Sequence, residues 1–587
     1  MPNGGWMDLT HPEGLALLLA LAIAACVVLG LRFAVGVRWI PALAFAPVPA
    51  VAAFSSQFNL VGWHGFMHAA PIYQFIEGGA APPEEPLFAG GTLRYPWVEH
   101  WLIAQLSRLT GANAHVLTLL LEVAAYAALL AAAYWLASAL TDDPGAIGLA
   151  VLFSGFGISI FHVGLLSEPF ARAFPNLWLE TRVVPLDKFA NLSAMPVGYA
   201  CMGIAAAAGV RLAAGKGEPR RLAGIIAAVT FTAALMHPLS WLCILPFQGV
   251  VGAVLLWARN REDYRRLAWL AVAVVVPCGL ALPYLRSVGA SESSDGWSGF
   301  TRGAELFWAK AGDAAVFIAP LVLLLYVQRA RLKRMLSDGN RALCIVLLAL
   351  PTFVALYLLL RFPGRNEYKF LLSLVLAGAP LMGLCVRALL ERHLLVAALL
   401  LVLLLSPGAR ALSVRPSFEV TKPCRMDGPY LRALEPNADA LYQWIARETP
   451  KNAVFVAADL AIPSLGRRVL YVPVDDVWRG RDGWGLEPFK LRQWHVRWPD
   501  AVMAHRHELA REVLSLSWNH PAPAVIAEIQ SDVPGRPLFT FTRTPAVIAK
   551  LDQTPGAVAR FRNPAGAVYE FARARAAVAQ MEAVDHD

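Results

Sequence analysis

Read as alternating apolar and polar stretches, the chain consists of long hydrophobic runs separated by short polar joints until about residue 410, where the pattern changes. Runs near the length needed to cross about 30 Å of hydrocarbon, roughly 20 residues each, begin near Gly14, Trp39, Ala114, Ala146, Leu192, Leu222, Leu239, Leu267, Ala314, Ala342, Phe370 and Leu394. They predict a polytopic α-helical membrane domain of about 12 transmembrane helices over residues 1–409. The apolar stretch 222–258 is broken only at His237-Pro238. We divide it into two helices joined by a tight hairpin, because one long kinked helix would reverse every later connection.

Beyond residue 410 the runs shorten. Segments 453–457, 469–472, 524–529 and 567–571 are β-branched or alternating and read as strands, while 438–448 and 504–516 read as amphipathic helices. With Pro and Gly at the joints, they predict a soluble α/β or α+β domain over residues 410–587.

One polar stretch stands out among the apolar runs. Residues 61–101 read VGWHGFMHAAPIYQFIEGGAAPPEEPLFAGGTLRYPWVEHW, and lipid would leave these side chains unpaired, so the stretch must lie outside the hydrocarbon. Connections of this length are uncommon unless they carry function. It predicts an extramembrane loop over residues 55–113 that presents functional groups.

Composition agrees with the pattern. A chain 57% hydrophobic and 16% charged, with a mean hydropathy of +0.51, is not a soluble globular protein. The net charge of +9 would suggest nucleic acid in a soluble chain, but the basic residues here fall in the joints. Arg32 and Arg38, then Lys216, Arg220 and Arg221, then Arg259, Arg261, Arg265 and Arg266, then Arg329, Arg331, Lys333, Arg334 and Arg341, then Arg387 and Arg392 follow alternate spans. All therefore lie on one side. This is the positive-inside pattern, which sets orientation and removes nucleic acid as the implied partner. The N-terminus, the long loop, the connections 167–191 and 287–313 and the C-terminal domain then face the other compartment. The first run lacks a preceding basic region and a cleavage site and is read as a retained helix. Six of seven Cys lie in apolar segments and Cys424 in the tail, which gives neither a disulfide framework nor a metal-spaced cluster.

The candidate chemistry is concentrated in four places. In the loop, His64 and His68 are four residues apart and share a helical face; without an HExxH signature or a third ligand at helical spacing, no metal site is assigned to them. Glu84 and Glu85 stand in a Pro-rich elbow, and Arg94, Tyr95, Glu99 and His100 precede re-entry into the membrane. A His or Glu here suits a general base; capping and solvation of the loop is the alternative. A second cluster, including Glu168, Arg182, Asp187 and Lys188, lies in the connection 167–191, and a third in RFPGRNEYKF, with Arg361, Arg365, Asn366, Glu367, Tyr368 and Lys369. His237 at the hairpin tip is the fourth. Arg and Lys at this outer boundary suit a lipid phosphate; snorkelling, or an ion pair of Glu367 with Arg365 or Lys369, is the alternative. In the tail, Trp444, Trp478, Trp484, Trp494, Trp498 and Trp518 either stack on carbohydrate or pack in a core.

The first loop resembles that of the polytopic type C glycosyltransferases (GT-C fold), which use polyprenyl-phosphate sugars, and more closely that of their bacterial branches. The family has an Asp, a His four residues on, a short helix ending in Gly, Pro-Pro-x-x-Pro, a Gly, then Leu-x-Tyr-Pro before a His. Here these elements read His64, His68, Gly78-Gly79, Pro82-Pro83-Glu84-Glu85-Pro86, Gly90 or Gly91, Leu93-Arg94-Tyr95-Pro96 and His100. EYKF at 367–370 and LYQWIARETPKNAVFVAAD in the tail are also similar to that group. His64 stands where the family places its catalytic Asp. The resemblance implies inverting transfer of a sugar from a polyprenyl-phosphate donor to an extracytoplasmic lipid, glycan or protein acceptor. It implies His64, Glu84, Glu85 or Glu99 as the base, and His68, Arg94, Tyr95, His100, Arg182, Lys188, His237, Arg365, Glu367, Tyr368 and Lys369 as substrate contacts. It also implies a bacterial inner membrane location, membrane lipid and a lipid-linked donor as partners, and no certain cofactor, with a divalent cation left open. Two rival readings stand beside it. A lipid or glycan transporter or flippase should show symmetry between halves and midplane breaks, and neither is read here. A catalytically inactive GT-C-like scaffold subunit is suggested by the His at position 64.

Overall fold

The computed structural model describes residues 21–28, 63–158, 194–289, 299–362, 366–421, 436–459, 461–472 and 500–572. The chain forms two compact units. One comprises residues 1–55, 119–286 and 297–422, and the other residues 56–118, 287–296 and 423–587. We refer to them as the membrane unit and the loop unit. The long loop thus belongs with the C-terminal domain by its contacts.

The loop contributes α1 (Trp63–Ile76) and α2 (Val98–Thr110). The chain then runs through α3 (Ala114–Leu140), α4 (Pro144–Phe156), α5 (Met195–Ala213), α6 (Pro219–Met236), α7 (Pro238–Trp257) and α8 (Arg261–Gly289). It continues with β1 (Gly299–Phe300), α9 (Ala304–Val327), α10 (Arg329–Ser337), α11 (Arg341–Leu359), β2 (Leu360–Arg361), α12 (Tyr368–Arg392) and α13 (Leu394–Thr421). Among the described residues, eight of these helices, α3, α5 to α9, α11 and α12, are long and apolar enough to cross a membrane, and α4 and the first part of α13 are shorter apolar helices. Ten of the expected spans are therefore seen as helices. Of the span near Gly14 the helical segment 21–28 is described, and the span near Trp39 lies outside the described residues.

The break at His237 is a true reversal. Gly198 of α5 lies against His237 and Ser240, and Gly209 lies against Gln248 of α7, so α5 and α7 run in the same direction. α6, joined to α5 by a short turn and packed on it, runs back between them. The sorting of charge also holds within the membrane unit. At one end, Lys216 donates to the Ala139 carbonyl at 3.1 Å and Asn340 to the Leu140 carbonyl at 3.0 Å. Arg341 donates to the Ala213 carbonyl at 3.2 Å and pairs with Asp263 at 2.8 Å, where Arg266 also lands at 3.2 Å. These cations meet the negative ends of the α3 and α5 dipoles. The acidic turn between α3 and α4 belongs to the same end: Asp143 caps α4 through the Gly145 and Ala146 amides and pairs with Arg387 at 3.2 Å. The opposite end carries His237, the β1–β2 ladder and the start of α12.

The C-terminal part of the loop unit folds as α14 (Pro436–Glu448), β3 (Val454–Ala457), α15 (Ala461–Ser464), β4 (Val469–Leu470), α16 (Asp500–Leu514), α17 (Ala522–Asp532), β5 (Leu538–Thr542), α18 (Pro545–Asp552), β6 (Ala557–Asn563) and β7 (Gly566–Phe571). The sheet order is β4-β3-β5-β7-β6. β3 is parallel to both β4 and β5, with Val454 opposite Val469 and Leu538, whereas β7 is antiparallel to β5 and β6. Hydrophobic clusters cover both faces, as a sheet with parallel strands requires. The expectation of a strand at 524–529 is corrected to helix α17, because Val525, Ile526 and Ile529 bury one helical face.

Candidate functional site

The geometry of the loop begins with Arg108. In the last turn of α2 its guanidinium donates to the Ile76 carbonyl at 3.1 Å and also reaches that of Phe75, so it caps the end of α1. Eight residues earlier in both helices, His68 meets His100. The contacts 68 to 100 and 76 to 108 advance together, so α1 and α2 run parallel. A parallel pair needs a connection that returns the whole length of the helix, about 20 Å here at 1.5 Å per residue. The elbow 77–97 supplies it.

The elbow is anchored on the C-terminal sheet. Ala89 donates its amide to the Leu470 carbonyl at 2.8 Å and Leu470 donates back to Pro86 at 2.9 Å, which extends the edge at β4. Phe88 is fully buried among core residues, under Arg506, whose guanidinium also donates to the Ala89 carbonyl at 2.8 Å. Glu77 pairs with Arg468 at 3.2 Å. Glu84 accepts from the Gly90 amide at 2.7 Å and pairs with Arg536, and Glu85 is buried and accepts from the Leu87 amide at 3.3 Å. Of the three carboxylates singled out as candidate bases, Glu84 thus ties the elbow to the C-terminal part through Arg536, and Glu85 bonds within the elbow itself.

Different residues come together between α1 and α2. His68 Nδ1 and His100 Nε2 are 2.8 Å apart, with the rings stacked at 5.1 Å and Tyr95 edge-on to His68 at 5.5 Å. Glu99 starts α2 beside them. One donor atom from each of His68, Glu99 and His100 lies within 4.8 Å of the other two, and all three side chains are buried. Glu99 is 2% exposed, and neither of its oxygens has a hydrogen-bond partner among the described residues. Burial pushes its carboxyl up to about 8. Arg94 is exposed. His64 lies on α1; its side chain is outside what the structure describes.

In the membrane unit the third and fourth clusters meet. Lys369 lies in the first turn of α12, and its ammonium is 3.2 Å from His237 Nε2. His237 closes α6 and caps α7, its Nδ1 meeting the Ser240 hydroxyl at 2.7 Å and amide at 3.2 Å. The backbone carbonyl of Lys369 accepts from Tyr199 at 3.2 Å and Ser373 at 2.8 Å. Burial, and then the Lys369 ammonium, hold the His237 imidazole well below its usual range, so it is neutral. The positive dipole ends of α7 and α12 and one ammonium thus converge, an arrangement that favours an anion. Glu367 is used differently. It is buried and pairs with Lys310 at 2.8 Å, not with Lys369, and it accepts from the Phe362 amide at 3.1 Å. Lys310 also donates to the Leu360 carbonyl at 2.7 Å, tying α9 to the β1–β2 ladder. Tyr368 is half-buried at the start of α12.

Arg182, Lys188 and Arg365 lie outside the described residues. So do Trp478, Trp484, Trp494 and Trp498. Trp444 stacks on Phe561 at 5.3 Å and Trp518 lies under the Lys550 ammonium at 3.7 Å, so these two are packing residues. The sequence singled out Glu99 and His100 individually, but their assembly with His68 depends on the parallel pairing of α1 and α2, which no local spacing signals. Lys310 was missed; an isolated Lys within an apolar run was its only signal.

No protein-family model and no curated protein sequence matches the chain. Solved structures do. The apo crystal structure of ArnT from Cupriavidus metallidurans has a TM-score of 0.50 and 14% identity, covering 90% of this chain and 97% of that one. The same protein bound to undecaprenyl phosphate has a TM-score of 0.51 and 13% identity, covering 91% and 98%. The arabinofuranosyltransferase AftD from Mycobacteria has a TM-score of 0.48 and 16% identity, covering 91% of this chain and 40% of that one. The likeness to ArnT extends over nearly the whole of both chains, and this protein has the GT-C glycosyltransferase fold.

Proposed function

We propose that the chain is a membrane glycosyltransferase that takes a sugar from a polyprenyl-phosphate donor. The observation that carries this reading is the shared fold with a protein crystallised with undecaprenyl phosphate, over 91% of this chain. The convergence of the α7 and α12 N-termini with Lys369 supports it, because that place suits a lipid phosphate. In the reaction an acceptor hydroxyl or amine bonds to the anomeric carbon with inversion as the carbon–oxygen bond to phosphate breaks. The phosphate leaves with the electron pair, and the acceptor proton passes to a base. Lys369 would stabilise the charge that grows on the leaving phosphate. By the positive-inside rule the Arg and Lys end of the membrane unit is cytoplasmic and the His237 and Lys369 end extracytoplasmic, in a bacterial inner membrane. The acceptor is then an extracytoplasmic lipid, glycan or protein.

The test is to offer purified protein radiolabelled polyprenyl-phosphate sugars and to follow binding and slow hydrolysis. Binding is expected, and Lys369→Ala should weaken it by roughly 10- to 100-fold, the usual range for a charge-assisted contact. No interaction with any such donor would return the chain to the transporter or scaffold readings.

A further inference from the structure

We propose that His68, Glu99 and His100 form a binding site for a divalent transition-metal cation of the zinc class. Three features carry the inference. The donor set is right: two imidazoles and one carboxylate are the combination that borderline cations select, whereas magnesium and calcium take oxygen ligands. The geometry is close: one donor atom from each residue lies within 4.8 Å of the others, and the imidazole nitrogens are 2.8 Å apart. Bonds of about 2.0–2.2 Å in a tetrahedron separate neighbouring ligands by about 3.3 Å, so the rings need to open by only about 0.5 Å as an ion replaces the proton between them. The third feature is independent of the clustering. The Glu99 carboxylate is 2% exposed and has no hydrogen-bond partner among the described residues. A buried carboxyl in that position is costly unless something satisfies it, and a cation would supply the missing counter-charge.

The elements are well suited to hold such an ion. His68 comes from the middle of α1, and Glu99 and His100 from the first turn of α2. Arg108 fixes the far ends of the two helices, and the elbow is anchored by Phe88 and Glu84. The ion would then join the near ends of the parallel pair, with a fourth position left for water or a ligand, as in other sites with three protein ligands. This inference does not depend on the glycosyltransferase reading, and its test does not use turnover.

The experiment uses the full chain in detergent, purified through a tag without histidine, stripped with chelator, loaded with zinc and dialysed. Metal content by mass spectrometry should be one equivalent of zinc per chain, and cobalt in its place should give the intense visible bands of a four-coordinate site. Glu99→Gln, which preserves side-chain volume, should weaken zinc binding at least 100-fold, and His68→Ala and His100→Ala should abolish the cobalt spectrum. His393→Ala, which removes an exposed His in the membrane unit, should retain the full equivalent. Failure of wild-type protein to hold zinc, or retention unchanged in Glu99→Gln, would overturn the site. If a His variant does not fold, Glu99→Gln and the wild-type cobalt spectrum still decide. Loss of the metal site would leave the donor-binding result untouched, so the two readings fail separately.

Discussion

Two buried acids, Glu367 and Glu99, show how differently one side chain can be used. Glu367 is in contact with Lys310 at 2.8 Å and accepts the Phe362 amide, while Lys310 in turn donates to Leu360. Every charge in that group has its opposite. Glu99 is as deeply buried, but its neighbours are two imidazoles that already face each other, and its oxygens have no partner among the described residues. The first arrangement is closed and holds α9, β2 and α12 together. The second is open, and it is open toward donor atoms that metals use. Burial of a carboxyl is therefore a poor guide to function by itself; whether the surrounding groups complete its bonding is the more useful question.

The comparison can be broken most directly at Lys310. Replacing it with Met leaves Glu367 buried without its counter-ion, and such losses cost about 3–5 kcal/mol. The thermal midpoint in detergent should fall sharply, and the double change Lys310→Met with Glu367→Leu should recover most of it. A single variant as stable as wild type would show that the pair is not what closes this end of the membrane unit.

A smaller effect is expected on the other side. In metal-stripped protein Glu99→Gln removes no ion pair, so its cost should stay within about 1 kcal/mol, in the range of substitutions that break no named interaction. The same variant should lose the stabilisation that wild type gains when zinc is added. A loss of several kcal/mol in the stripped protein would mean that Glu99 is structural, like Glu367.

What could be read from the sequence follows from how local each signal is. The spans, and the gathering of the basic joints at one end, were legible because apolar length and the placement of Lys216, Arg341 and Arg387 are local facts, and the interactions of those residues at one end of the membrane unit agree. The hairpin at His237 was legible for the same reason. The run 524–529 was misread because β-branched residues were weighed above the spacing of Val525, Ile526 and Ile529, and β5 and β6 were not singled out. The candidate site was legible as a region only. The sequence set His68 beside His64, four residues away, and Glu367 beside Arg365 or Lys369; among the described residues their partners are His100 and Lys310. Pairings across 32 and 57 positions are set by the tertiary fold.

The smallest predicted effect uses the same two side-chain types at the surface. Glu512 is buried and His520 exposed, with Glu512 Oε1 and His520 Nδ1 2.5 Å apart. Burial works to raise the Glu512 carboxyl, but the His520 hydrogen bonds outweigh it and hold the group below its usual range, while the same contact raises His520 above its own. The carboxylate's contribution is present above its ordinary value of 4.5 and lost as pH falls through its lowered folded value. The imidazolium's contribution is full below its ordinary value of 6.5 and lost as pH rises through its raised folded value. The pair therefore stabilises most between about 4.5 and 6.5, and the effect is small because water reaches His520. Thermal midpoints of wild type and His520→Gln, measured from pH 4 to 8, should differ most inside that window and converge on both sides. A difference that does not vary with pH would mean that this imidazole is held by shape and not by charge.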